Sequence, residues 1–204
     1  GQPDALAVFG AITGGAIALN NSPINLAEFR PVARLTAEYL VVAVAADSPY
    51  NTLADLVAAL KTDPGAHPIG GGSAGGVDHI AVALLAQAGE IPVADLNYIP
   101  QTSGAETVTA IVNGTLTAGV SGTSEFAQFA EQGRIKLLAV TSAERRANLP
   151  DVPTFHEAGY DVEIANWRGI LAAPGAPDDN YATWVDNFTK LSQKNYAIDL
   201  GFYP

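Results

Sequence analysis

Short apolar runs alternate with helix-period runs along most of this chain, and that alternation constrains the fold more than any single motif. Six runs are predicted as strands: residues 4–10, 39–46, 96–100, 116–121, 135–141 and 164–172. Val, Ile and Leu dominate several of them, as expected for strands covered on both faces. Helices are predicted over 52–61, 77–88, 105–113, 124–132 and near 179–191. Leu53, Leu56, Val57 and Leu60 recur at helical spacing, and Gly114 and Gly133 sit where helices stop. Strands alternating with helices in this way mean α/β with a largely parallel sheet.

The turns between these runs share a chemistry. Residues 69–85 read IGGGSAGGVDHIAVALL, with five glycines in the first eight positions and then an apolar, helix-like stretch. Pro100 is followed by Gln101-Thr102-Ser103-Gly104, and Val120 by Ser121-Gly122-Thr123-Ser124. Each time, a strand end runs through glycine and small hydroxyl residues into a helix start. One such loop is ordinary capping by Ser or Thr, or a tight turn. Three in succession point to a shared ligand site, because ligands of open α/β sheets bind at the carboxyl ends of the strands. Free N–H groups at a helix start attract anions.

Two sharper motifs overlap the glycine loop. Gly70, Gly72 and Gly75 satisfy the dinucleotide pattern G-x-G-x-x-G, with Asp95 about 20 positions on. The stretch before them, residues 63–69, holds two prolines and one aliphatic residue, which is a poor strand for that fingerprint. Gly71, Ser73 and Gly75 satisfy G-x-S-x-G, and Asp151 and His156 follow in the order of an α/β serine hydrolase with Ser73 as nucleophile. That alternative lacks the same upstream strand and an HGGG-type oxyanion segment. No metal site is expected, because His67, His79 and His156 are far apart and no H-x-x-x-H pattern accompanies them. His79, in the first turn of the helix after the loop, is placed to hold the loop backbone.

Composition narrows the partners. The net charge is −11, which argues against nucleic acid and anionic membrane surfaces. It does not exclude a small anion, since oriented backbone N–H groups outweigh a distant negative field. There is no cysteine, so disulfides and thiol catalysis are out, and no run of 18 apolar residues that would span a membrane. The chain lacks methionine and opens on Gly1-Gln2-Pro3-Asp4, neither an initiator nor a signal peptide. We therefore expect an N-terminus that is incomplete.

Four stretches, in order along the chain, resemble one family. Gly72-Ser73-Ala74-Gly75-Gly76-Val77-Asp78-His79 resembles the G-S-A-G-x-x-x-H loop of the tripartite tricarboxylate transporter receptors, also called Bug-type solute-binding proteins. Gly133-Arg134-Ile135-Lys136-Leu137-Leu138-Ala139-Val140-Thr141-Ser142 is similar to their G-K-L-R-A-L-A-V-T-S strand. Asp151-Val152-Pro153-Thr154-Phe155-His156-Glu157-Ala158-Gly159 resembles D-V-P-T-x-x-E-x-G. Asn166-Trp167-Arg168-Gly169 with Ala173-Pro174-Gly175 resembles W-x-G and A-P-x-G. The similarity covers about residues 1 to 177.

The resemblance implies an α/β, two-domain, periplasmic-binding-protein-like fold with two crossing strands, within 30–46 and 162–173. Domain 2 would be 38–166, and 1–37 with 167–204 would be parts of domain 1. The family's first glycine-rich ligand loop is absent, and the sequence departs from the pattern after Asp178. Residues 195–204 read as a shortened C-terminus, so the first domain is expected to be incomplete in this chain. The family's ligand loops fall on Ser73, Ala74, Gly75 and Gly76 with His79 behind them, on Thr102, Ser103 and Gly104, and on Ser121, Gly122 and Thr123. Val77 stands where many relatives have Ser or Thr, which removes one hydroxyl donor.

The implied protein is not an enzyme and needs no cofactor. It is a monomeric extracytoplasmic receptor, periplasmic or lipid-anchored. It captures a small carboxylate of the tricarboxylate or dicarboxylate type in an interdomain cleft and delivers it to the membrane components of a tripartite transporter. Trp167, on the second crossing, is expected to line the cleft floor, whereas Trp184 lies on the C-terminal helix.

Overall fold

One strand, β2 (Arg30–Ala45), passes through both of the units into which the chain divides. Unit 1 is Gly1–Glu38 with Asn166–Pro204, and unit 2 is Tyr39–Ala165. The computed structural model describes residue 2 and residues 4–193. The expected shortening over 195–204 therefore lies outside the described residues.

In unit 2 the sheet runs in the order β4 (Tyr98–Pro100), β3 (Ile69–Gly71), β5 (Ala118–Gly122), β2 and β6 (Ile135–Val140). β3 is parallel to both β4 and β5, while β2 is antiparallel to β5 and to β6. The sheet is thus mixed, not largely parallel. The βαβ crossovers give parallel neighbours, but β2 enters without a helical crossover and lies antiparallel between β5 and β6. Residues Leu40 to Val44 are all buried, in keeping with their continuous apolar run.

Four helices connect these strands. α2 (Leu53–Thr62) opens with a reciprocal capping box between Thr52 and Asp55, and buries Leu53, Leu56, Val57 and Leu60. α3 (Val77–Ala88), α4 (Gly104–Val112) and α5 (Thr123–Glu131) follow β3, β4 and β5. Val108 and Ile111 of α4 and Phe126 of α5 pack with Val41, Ala43, Leu116 and Val140 of the sheet side. Gly114 and Gly133 have φ of +78° and +68°, the left-handed conformation that ends a helix.

Unit 1 contains β1 (Leu6–Gly10), antiparallel to β7 (Ala165–Ala172) with Leu6 opposite Ala172, and β7 neighbours β2. The return segment predicted as a strand over 164–172 is β7. α1 (Ala11–Leu19) was not anticipated, because Gly14 and Gly15 interrupt its pattern, and it buries no residue. α6 (Asp178–Gln193) brings Tyr181, Trp184, Val185 and Phe188 onto Val32, Ile170, Ala172 and Ala176. Arg30 fixes its start, donating to Asp178 at 2.7 Å with its guanidinium 3.7 Å from the Tyr181 ring centre.

Candidate functional site

Because β4, β3 and β5 are adjacent and run in the same direction, the loops that follow them emerge on one edge of the unit 2 sheet. All the candidate ligand residues except Trp167 lie in these loops, at the end of β5, or in the first turns of α3, α4 and α5. Gln101 N donates to Gly71 O at 2.7 Å, tying the second loop to the end of β3.

In the first loop, most of the glycines answer to the protein itself. Gly70 and Gly71 form the strand β3, which was hidden in the sequence by prolines on one side and by its own glycines. A Cβ on Gly70 would collide with the Leu116 side chain, and one on Gly71 would lie 2.7 Å from Tyr98 Oη. Gly72 N donates to Asp78 Oδ2 at 2.7 Å, and a Cβ at Gly72 would meet that same oxygen. The turn proper is Ser73 to Gly76, closed by Gly76 N donating to Ser73 O at 2.8 Å. Gly75 has φ +74°, and a Cβ at Gly76 would lie 2.9 Å from Ser73 O. Both positions need glycine, for backbone reasons.

His79 lies behind this loop, as expected. Its Nδ1 accepts the Gly75 N–H at 2.9 Å, and its ring stacks on Tyr98 with centroids 4.3 Å apart. Tyr98 Oη donates to Gly72 O at 2.8 Å. Burial, reinforced by the Asp78 carboxylate, pushes the Tyr98 phenol well above its ordinary ionisation range, so it stays a donor.

The second and third loops divide differently. Ser103 caps α4, its Oγ accepting Glu106 N at 3.2 Å, and Thr102 donates through both N and Oγ1 to Glu106 Oε2 at 2.8 and 2.5 Å. The Thr102 hydroxyl and amide hold the Glu106 carboxyl below its usual range. Gly104 is buried where a Cβ would press on Glu125. Thr102 and Ser103 thus serve the cap that single-loop reasoning offered as the plain explanation. In the third loop Ser121 Oγ donates to Glu125 Oε2 at 2.5 Å, and Ser121, Gly122 and Thr123 are buried.

Two of the three helices begin without a side-chain cap. α3 starts on Gly76 and α5 on Gly122, neither with a capping side chain, and they follow the neighbouring strands β3 and β5. Each of the three helices also carries an acid in its first turn: Asp78, Glu106 and Glu125. Sequence reasoning missed Asp78, Tyr98 and Glu125 as parts of the site. The acids follow the ordinary first-turn preference and were legible. Tyr98 gave no local signal, because it reaches the loop through the parallel register that sets it beside Ile69.

Trp167 belongs to unit 1, on β7, where it is partly exposed and its ring lies 5.5 Å from that of Phe9. The nucleophile and dinucleotide patterns find no support. Ser73 is not among the described residues with positive φ, as a strained elbow would require. His156 pairs with Asp161 at 3.3 Å, and Gly70 lies within a strand instead of opening a phosphate loop. Asp95 sits in a 3₁₀ turn, Val93–Asp95. Among the described residues no group of three or more His, Cys, Asp or Glu could hold a metal ion. No helix among them is long and apolar enough to cross a membrane.

The chain belongs to the tripartite tricarboxylate transporter receptor family, whose model matches residues 15–198. That is a family of solute-binding receptors, not of enzymes, and the serine hydrolase alternative is set aside. A UPF0065 protein from the tcbD-tcbE intergenic region of Pseudomonas sp. strain P51 is 29% identical over 152 residues, 74% of this chain and 44% of that protein. Protein BugT of Bordetella pertussis is 25% identical over 152 residues, 74% of this chain and 45% of its own length. The chain therefore spans about half the length of these curated relatives. Among solved structures, a TctC solute-binding protein from Polaromonas superposes with a TM-score of 0.81 at 25% identity, covering 100% of this chain and 72% of that one. MatC from Rhodopseudomonas palustris, solved with bound malate, gives 0.75 at 22% identity, covering 93% and 66%. An R. palustris protein solved with adipate gives 0.66 at 24% identity, covering 80% and 54%. The periplasmic-binding-protein fold expected from the sequence is thus borne out.

Proposed function

We propose that a receptor of this family, built on this chain, binds a small organic acid at the loops after β3 and β5. One observation carries the reading. α3 and α5 follow the neighbouring parallel strands β3 and β5, and each begins on a glycine cap that no side chain occupies. Two helix starts of this kind offer backbone N–H groups and two positive dipole ends to one carboxylate, with no Lys or Arg required. Ser73, Ala74, Gly76, Gly122 and Thr123 are the proposed contacts. The Gly75 amide is engaged by His79. In this reading Thr102, Ser103 and Gly104 shape the adjoining wall, and Trp167 on β7 is the residue whose emission is expected to report binding.

The malate and adipate held by two structural relatives favour dicarboxylates as first candidates. Val77 supports a ligand needing fewer hydroxyl contacts than many relatives offer. Delivery to the membrane components of a tripartite transporter, from the periplasm and with or without a lipid anchor, belongs to the same proposal, as does a monomeric state. The test is thermal unfolding of the full-length protein with malate, adipate, citrate and their amides. Saturation at 100 times Kd stabilises a folded protein by about 2.7 kcal/mol. Stabilisation by at least one acid and by none of the amides is expected. No response to any acid, with no carboxylate found by mass spectrometry on the purified protein, overturns the reading.

A further inference from the structure

Tyr98 reaches the glycine loop at both ends, directly at one and through His79 at the other. Its hydroxyl donates to Gly72 O at 2.8 Å, where the loop leaves β3. Its ring stacks on His79 with 16° between planes, and His79 Nδ1 takes the Gly75 N–H at 2.9 Å, where the loop turns into α3. Between these points Asp78 accepts the Gly72 N–H at 2.7 Å. The peptide groups on both sides of Ser73 and Ala74 are thus pinned by side chains that reach them from outside the loop.

We infer that Tyr98 and His79 form a stacked clamp that sets the conformation of loop 72–76 before any ligand arrives, making Tyr98 a positioning residue for the binding site. The inference rests on the proposed function only in naming the loop as a ligand loop. Three features of the geometry support it. A glycine loop left to itself has more backbone freedom to lose than any other sequence, so pre-ordering it removes a cost that binding would otherwise carry. The clamp uses the loop's carbonyl at Gly72 and its amide at Gly75, groups that would otherwise compete for the ligand or for water. The phenol's raised ionisation range keeps it a donor throughout the working pH range. For Nδ1 to accept from Gly75, the His79 proton must sit on Nε2, so the clamp also fixes the imidazole tautomer.

The experiment is amide hydrogen exchange on the full-length, ligand-free protein, comparing peptides over 72–76 with peptides over α2. Tyr98→Phe keeps the stack and removes the bond to Gly72. His79→Phe keeps the stack and removes the acceptor for Gly75. Each is expected to speed exchange over 72–76 about fivefold, the loss of one ordinary hydrogen bond, while α2 is unchanged. Tyr98→Leu, which removes ring and hydroxyl together, should speed it further. Unchanged loop exchange in both Phe variants overturns the inference, as does an equal rise in loop and α2. The readout needs no ligand, so a failure of the carboxylate reading leaves this result standing, and the reverse also holds.

Discussion

Thr141 donates its hydroxyl hydrogen to Ile164 O at 2.6 Å, at the point where the chain is about to leave unit 2. Thr141 Oγ1 itself accepts Leu40 N at 2.9 Å, just where the chain enters. The Thr141 backbone repeats both links, its N donating to Leu40 O and its O accepting from Ile164 N. Thr141 and Leu40 are fully buried, so their groups in these bonds have no water as a substitute.

Thr141→Val should therefore lower stability by about 1–3 kcal/mol, the cost of leaving a buried amide unsatisfied, whereas Thr141→Ser should lose far less. Urea titrations of the two variants measure this. Equal stability of Val and wild type would mean that Leu40 N finds another partner.

Gly75→Val should destabilise by about 1–3 kcal/mol, because a β-branched residue is forced to positive φ. Gly76→Val forces Ser73 O to move. Both variants should stay folded by circular dichroism and lose carboxylate-induced thermal stabilisation. If both retain it, the loop is a turn and nothing more.

Trp184 is packed into the unit 1 core by α6, while Trp167 stands partly exposed on β7. In a Trp184→Phe variant, carboxylate addition should change the remaining emission. Heat of binding in a calorimeter with no change in emission would place Trp167 away from the ligand.

Acid should loosen unit 2 by a route that can be traced. The Arg145 side chain, which donates to both oxygens of Glu157, and then the Thr154 amide lower the Glu157 carboxyl from its ordinary value of 4.5. A lowered folded-state value means that the stabilisation is complete above about 4.5 and is lost as pH falls through the folded value. Melting temperatures measured from pH 6 to 3 should drop in the wild type, and Glu157→Gln should flatten part of that drop. Superimposable pH profiles would remove Glu157 from the account.

The parts of the molecule legible in sequence are those fixed by local pattern. α3 was predicted with its observed bounds, because an apolar face and a glycine start define it. Ser103-x-x-Glu106 is a capping spacing that can be read directly, and the cap forms. What remained hidden depends on contacts between distant segments. β3 is a strand only because β4 and β5 pair with it. β2's antiparallel insertion depends on strand order, which no window of sequence contains. Tyr98 reaches Gly72 and His79 across a register that only the folded sheet defines.

The pairing of β1 with β7 also has a consequence in time. Leu6 must wait for Ala172, while every strand of the unit 2 sheet lies between them in sequence. A chain that emerges N-terminus first, at roughly 5–20 residues per second, leaves β1 without its partner for about ten to thirty seconds. During that wait Leu6 and Val8, exposed even in the folded protein, sit on an unpaired edge of the kind that nucleates aggregation. Unit 2, made from one unbroken stretch, waits less, because Leu40 meets Gly122 about half as far along the chain. The N-terminal strand is accordingly where a holdase chaperone has most to gain.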